Sequence, residues 1–146
     1  LVRLGLRSGE AAALELDDIL WTRGELVVRG KRLREDRLPL PCDVGEALVA
    51  YLRRVRPQTR CRTLFLTSRA PLQELSASAV RHIVRRAWMR AGLPPTGSHR
   101  LRHTVATEML RKGASLSEIA QVLRHRYVDT TAIYCVQTVD MCSEVA

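Results

Sequence analysis

The spacing of hydrophobic residues predicts a helix over residues 76–91. Apolar side chains recur there every three or four positions, as on the buried face of a helix, and they are Val80, Ile83, Val84, Ala87 and Trp88. Gly92 follows and is typical of a helix end. The intervening positions are mostly arginine, so the pattern predicts an apolar inner face and a basic outer face. Both tryptophans, Trp21 and Trp88, are expected in the core.

Similar spacing predicts two further helices toward the C-terminus. The first begins at Ser98 and stops at Gly113, and its apolar residues are Leu101, Val105, Met109 and Leu110. Ser115 and Glu118 then form the pattern of a capping box, which begins the second. Shorter helices are expected with Ser8, Asp43 and Asp129 as their N-terminal caps.

Two β-prone runs, 25–29 and 36–40, predict a hairpin with its tip at Gly30-Lys31-Arg32. Pro39 cannot donate a backbone hydrogen bond, which favours an edge position for the second strand. A further short strand is expected over 63–67. The fold class is therefore α+β and mostly helical, with a small antiparallel sheet or hairpin, in one domain over residues 1–146.

Positive charge is concentrated in the middle of this chain of 146 residues, whose net charge is +9. Twelve arginines but one acid, Glu74, lie between residues 47 and 107. Such segregation favours a nucleic-acid partner, because arginines release counterions from phosphates; the alternative is a basic face that serves solubility. The residues expected to bind DNA are those of the predicted basic helix: Arg81, Arg85, Arg86 and Arg90.

Several classes of protein are disfavoured by the sequence. No apolar run is long enough to cross a bilayer and no signal peptide is evident, so we expect a cytoplasmic protein without a membrane partner. The four cysteines lack zinc-like spacing, so we expect reduced thiols. His99 and His103 have the spacing of two metal ligands, but Arg100 stands where a zinc protease helix has glutamate. We expect no metal and no cofactor.

His99 and Arg102 are three residues apart and therefore share one face of the predicted helix. Alone, the pair indicates little, because a solvated or structural pair would have the same spacing. Other residues strengthen the pattern. Together with the pair they supply two arginines, two histidines, a lysine and a tyrosine, which suit phosphoryl transfer, and these others are Arg7, Lys31, His125 and Tyr134.

Four segments carry a resemblance to the tyrosine recombinase (phage integrase) family. They read G-L-R-S-G-E-A-A-A-L at 5–14, V-R-G-K-R-L-R-E-D-R-L-P-L at 28–40, S-H-R-L-R-H-T-V-A-T at 98–107 and V-L-R-H-R-Y-V-D-T-T-A-I-Y at 122–134. Their order and spacing are similar to the family's first arginine segment, lysine hairpin, H-x-L-R-H segment and tyrosine segment. The resemblance implies the family's DNA-breaking and rejoining fold over nearly the whole chain.

The resemblance also implies roles for individual residues. Tyr134 would be the nucleophile, Arg7 and Arg102 would bind the phosphate, and Lys31 would be the acid. The remaining predicted members are the two imidazoles and the residue that holds Arg7, namely His99, His125 and Glu10. Arg124 departs from the family, which prefers glycine there. A positive φ at this position would cost about 1 kcal/mol and affect the placement of His125.

The function implied is site-specific recombination or integration, in which a strand is cut and rejoined through a 3′-phosphotyrosine without metal or ATP. Double-stranded DNA is the implied partner, with self-association as a tetramer on DNA. Alternatives are a catalytically inactive DNA-binding remnant of an integrase and a helix-turn-helix regulator. We also expect residues 1–146 to be the catalytic domain, truncated at its N-terminus, without the family's separate core-binding domain.

Overall fold

The computed structural model describes residue 1, residues 3–30 and residues 35–124. The hairpin tip at 31–34 and everything from residue 125, including the helix predicted to begin at Asp129, lie outside the described residues. The chain divides into two compact units. The sheet unit is Arg7–Pro95, and the terminal unit is Leu1–Leu6 with the residues from Thr96 onward.

The sheet unit contains a three-stranded antiparallel sheet in the order β1-β2-β3. Its elements are α1 (Ser8–Ala12), a 3₁₀ turn (Leu16–Asp18), β1 (Ile19–Leu20), β2 (Glu25–Arg29), β3 (Glu35–Pro39), α2 (Cys42–Arg54) and α3 (Ala77–Arg90). The predicted hairpin is present as β2 and β3, with Val27 opposite Arg37, and Pro39 lies on an edge strand as expected.

Strand β2 lies at the centre of the sheet, and Leu26, Val27 and Val28 are all buried. Arg29 ends the strand and forms an ion pair of 2.6 Å with the carboxylate of Asp18. Asp18 is only 1% exposed, so the pair gives a buried carboxylate the partner it requires. The end of β2 that is nearer the hairpin tip is therefore tied to the 3₁₀ turn.

The short strand expected over 63–67 is wrong. Only isolated bridges occur there, from Thr63 to Glu15 and from Leu66 to Glu74. The guanidinium of Arg56 instead donates hydrogen bonds to the backbone oxygens of Cys61, Thr63 and Leu64, in and just before this segment. A side chain thus occupies the acceptors that a strand would offer to a neighbouring strand.

Two details of the helices in the sheet unit differ from expectation. Helix α2 begins at Cys42 after Pro41, so Asp43 lies inside the first turn rather than at its cap. Similarly, Ser8 is the first residue of α1 and Arg7 precedes it. The cap is two residues earlier than predicted in α2 and one residue earlier in α1, which is the usual variation of helix ends.

Helix α3 begins and ends as predicted, with the hydroxyl of Ser76 accepting a hydrogen bond from the backbone N–H of Ala79. Val80 and Val84 are buried and α3 packs against α1. The buried face is narrower than expected, because Ile83 is 51% exposed. Trp21 was wrongly expected in the core: it lies in the turn between β1 and β2 and is 47% exposed.

The terminal unit contains α4 (Ser98–Arg111) and α5 (Leu116–Val122). Its core is formed by Ala106, Ile119 and Leu123. The most buried positions of α4 are Arg102 and Ala106, whereas Leu110 is 37% exposed. The expected apolar face is therefore displaced, because an arginine occupies one of its buried positions.

Local sequence signals set the ends of these two helices. Gly113 follows α4 with φ +85°, a conformation that glycine adopts readily. Ser115 and Glu118 form the predicted capping box at α5, and the hydrogen bonds from Ser115 lower the pKa of Glu118. The prediction of a mostly helical α+β fold with a small antiparallel sheet is confirmed.

Arg124 follows α5 with φ +54°, the left-handed conformation that the preference for glycine at this position had suggested. We expect Arg124→Gly to raise the free energy of unfolding by about 1 kcal/mol, because glycine lacks the Cβ that is strained there. Denaturant unfolding measures the difference. Arg124→Ala is the control, because it retains a Cβ and should gain nothing. A less stable Arg124→Gly would show that side-chain contacts of Arg124 outweigh the strain.

Candidate active site

Arg7 lies immediately before α1 and is held by Glu10 through two contacts. The guanidinium Nη1 donates to Oε1 of Glu10 at 2.6 Å, and the backbone N–H of Arg7 donates to Oε2 at 2.8 Å. The Glu10 side chain is 8% exposed, whereas that of Arg7 is 44% exposed. A buried carboxylate therefore fixes both ends of an arginine whose guanidinium still meets solvent.

Packing explains why so short a helix forms. Helix α1 has only five residues and would be marginal in isolation, because forming its first turn is unfavourable. It packs against α3, and Ser8 and Ala11 are its buried residues. Helix α3 therefore supports the segment that positions Arg7, while its exposed side presents arginines to solvent.

Arg102 lies in α4 and is 2% exposed. Its Nη1 donates a hydrogen bond to the backbone oxygen of Gly5, which belongs to the same compact unit. A charged group at such a position requires polar partners, because burial removes its hydration. Arginines are rarely buried so completely, which makes this one a candidate for chemistry.

His99 occupies the first turn of α4, one turn before Arg102, and is exposed. Its ring meets the ring of His103 edge-on, with centroids 5.7 Å apart. The helix therefore places an accessible imidazole and a buried guanidinium on the same face, as the spacing predicted.

The arginines of α3 are all exposed. They form two pairs with helical i, i+4 spacing, Arg81 with Arg85 and Arg86 with Arg90, so they follow two ridges rather than a single line. The arginines between residues 47 and 107 are not equally available to an external partner, because some of them form contacts within the protein. Arg56 is bonded to three backbone carbonyls, and Arg62 forms an ion pair with Asp17.

Three predicted site residues, Lys31, His125 and Tyr134, lie outside the described residues, so their roles stay predictions. Sequence reasoning missed Gly5 as the partner of Arg102, although it begins the first matching segment. Within residues 3–30 and 35–124 no cluster of three or more His, Cys, Asp or Glu side chains is arranged to hold a metal ion. In the same part of the chain no helix has the length and apolarity needed to cross a membrane.

Solved structures of recombinases have the same fold. The structure of XerA recombinase has a TM-score of 0.80 at 30% identity and is matched over 90% of this chain and 48% of its own. XerH recombinase, in a post-cleavage complex with a palindromic difH substrate, has a TM-score of 0.77 at 26% identity, over 99% of this chain and 43% of its own. The fold is thus that of tyrosine recombinase catalytic domains.

Sequence comparison extends this result to the family. The sequence pattern of the phage integrase family matches residues 1–140. A Sinorhizobium fredii protein, y4rA, whose name describes it as an integrase/recombinase, is 50% identical over all of this chain and 36% of its own length. Tyrosine recombinase XerD of Mycobacterium tuberculosis is 36% identical, over 99% of this chain and 48% of its own length. The chain belongs to the phage integrase family.

A double-mutant cycle would measure how firmly Glu10 holds Arg7. We expect a coupling of about 1 kcal/mol between Arg7→Ala and Glu10→Gln in denaturant unfolding, because each single change removes a charge-assisted hydrogen bond from a partner that stays in place. Solvent around Arg7 keeps this value modest. Additive effects would show that the contact does not hold the arginine.

Proposed function

We propose that this chain is the catalytic part of a site-specific DNA recombinase or integrase. It would cut a DNA strand and rejoin it through a 3′-phosphotyrosine at Tyr134, without metal or ATP. The observation that carries the proposal is the nearly complete burial of Arg102 in α4, one turn after an exposed His99, in a chain that matches the phage integrase family over residues 1–140.

In this mechanism Arg7 and Arg102 bind the scissile phosphate. Negative oxygens repel a nucleophile, and charge accumulates on them as the fifth bond to phosphorus forms. A guanidinium offers two donors in a fixed plane, which match two phosphate oxygens as a lysine cannot. The Glu10 contact and the burial of Arg102 support this role, because donors fixed in advance need no reorganisation during the reaction.

Tyr134 supplies the nucleophile, and a phenol needs help at neutral pH. With an ordinary pKa near 10, only about 0.1% of a tyrosine is ionised at pH 7, a penalty of roughly 4 kcal/mol. An imidazole that accepts the proton during attack lowers this barrier. The exposure of His99 at the start of α4 supports that assignment.

The leaving group is the 5′ oxygen of the next nucleotide. As the tyrosine oxygen bonds to phosphorus, the bond to this oxygen breaks, and Lys31 donates the proton that makes it a hydroxyl. His125 donates a hydrogen bond to the phosphate. The phosphotyrosine conserves the energy of the broken bond, so a 5′ hydroxyl of a second strand can attack it and reseal the DNA.

The wider assembly is also proposed. The chain spans 36% of the length of y4rA and 48% of XerD, which supports a longer protein in which residues 1–146 are the catalytic domain, beside a separate core-binding domain. Double-stranded DNA is the proposed substrate, and the XerH complexes with difH support it. Strand exchange between two duplexes requires four cleavages, which favours a tetramer on DNA. Its place of action would be the cytoplasm.

Tyr134→Phe tests the reaction directly, because it removes the single oxygen that would attack. We expect the full-length variant to fold and bind DNA like the parent, yet to form no covalent adduct with a nicked suicide substrate in the presence of a chelator. Gel separation of the denatured adduct is the measurement.

The control is Tyr51→Phe, since Tyr51 lies in α2 and its hydroxyl accepts a backbone hydrogen bond from Leu66. This variant should keep adduct formation. An adduct that persists in Tyr134→Phe would assign the nucleophile elsewhere. A parent protein that binds DNA but forms no adduct would identify the inactive remnant instead.

Salt dependence tests the basic surface of α3. We expect Arg85→Ala to reduce the slope of log K against log salt concentration by about 0.9, the value for one lost phosphate contact on duplex DNA. Arg62→Ala removes the same charge, but from an arginine paired with Asp17, and should leave the slope unchanged. An equal reduction of the slope in both variants would mean that total charge, rather than the surface of α3, governs binding.

A further inference from the structure

Gly5 lies against two residues of its own unit, Arg102 and Leu123. Its backbone oxygen accepts the hydrogen bond from Nη1 of Arg102, and its φ of +56° is the left-handed conformation. A Cβ built at this position would lie 2.7 Å from Cδ2 of Leu123, a distance that real structures do not allow. Residue 5 therefore has no room for a side chain on the side where Leu123 packs.

Leu123 has little freedom to retreat. It is fully buried and belongs to the core with Ala106 and Ile119, and Ala106 lies one turn after Arg102 in α4. Gly5 is thus confined between the guanidinium of Arg102, which donates to its oxygen, and the apolar core that α4 and α5 form. This confinement fixes the orientation of the Gly5 carbonyl.

The other glycines with positive φ provide a contrast. A Cβ added at Gly24, Gly92 or Gly113 would meet nothing within 4 Å. These three need only the backbone freedom of glycine, whereas Gly5 needs that freedom and close contact as well. The requirement at residue 5 is therefore linked to what it touches.

We propose that Gly5 is a positioning residue, which holds the guanidinium of Arg102 in the orientation that binds the scissile phosphate. This inference rests on the proposed recombinase function. A side chain at residue 5 would either displace Leu123 or turn the backbone toward negative φ, and the second response moves the Gly5 carbonyl away from Arg102. The guanidinium then loses the acceptor that orients it.

The test compares Gly5→Ala with Gly113→Ala in the full-length protein, because both introduce a methyl group at positive φ and only the first meets another residue. Single-turnover adduct formation is measured at saturating DNA on a normal scissile phosphodiester. It is also measured on a methylphosphonate, whose uncharged phosphorus centre needs little charge neutralisation. Unfolding midpoints are recorded for both variants.

We expect Gly5→Ala to slow cleavage of the phosphodiester by about 10- to 100-fold, the cost of misplacing a reacting group by about an ångström. Cleavage of the methylphosphonate should change less than about 3-fold, because the contribution of Arg102 is small there. Gly113→Ala should leave both rates near those of the parent. The DNA affinity of Gly5→Ala should change little.

Equal slowing on both substrates, or parental rates in Gly5→Ala, would overturn the proposal and leave Gly5 a packing residue. If Gly5→Ala fails to fold, Leu123→Val is added, because valine lacks the Cδ2 atom that the new methyl group meets. If the parent forms no Tyr134-dependent adduct, the recombinase function fails by itself. A crystal structure of Gly5→Ala then decides the proposal, which is wrong if Arg102 still donates to the oxygen of residue 5.

Discussion

The burial of the Arg102 guanidinium is the constraint on which the terminal unit depends. A cation at 2% exposure has lost most of its hydration, so its surroundings must replace that hydration with oriented acceptors. One of these is the backbone oxygen of Gly5, held by the left-handed conformation of that residue and by the packed side chain of Leu123. The apolar core of α4 and α5 thus helps to place the backbone oxygen that binds the guanidinium of Arg102.

In the sheet unit the guanidinium of Arg7 is also held in a fixed orientation, but by a different interaction. It remains partly exposed, and its orientation comes from a carboxylate on its own helix instead of from burial. That helix depends on α3 for stability, and α3 also presents four exposed arginines. The element that supports Arg7 therefore also carries the basic surface to which the proposed function assigns contacts with DNA.

The sequence could predict those features that depend on local chemistry. The beginnings of α3 and α5 follow from Ser76 and from the Ser115 capping box, and the left-handed Arg124 agrees with the preference for glycine that the resemblance implied at that position. Features that depend on distant contacts were out of reach, because periodicity assigns buried positions to apolar residues and so missed the burial of Arg102. The candidate site was found through four ordered segments, not through any single residue, and the Gly5 contact spans residues too far apart for spacing to reveal.

Arg56 has a consequence for how this protein tolerates mutation. In a sheet, the hydrogen bonds of a strand are distributed over a whole partner segment, so the loss of one side chain leaves the ladder in place. Here the guanidinium of Arg56 alone donates hydrogen bonds to the backbone oxygens of Cys61, Thr63 and Leu64. Leu64 and Leu66, which follow, are buried in the core of the sheet unit. A substitution of Arg56 would therefore remove three hydrogen bonds of this loop at once, although Arg56 lies several positions before the residues that it holds.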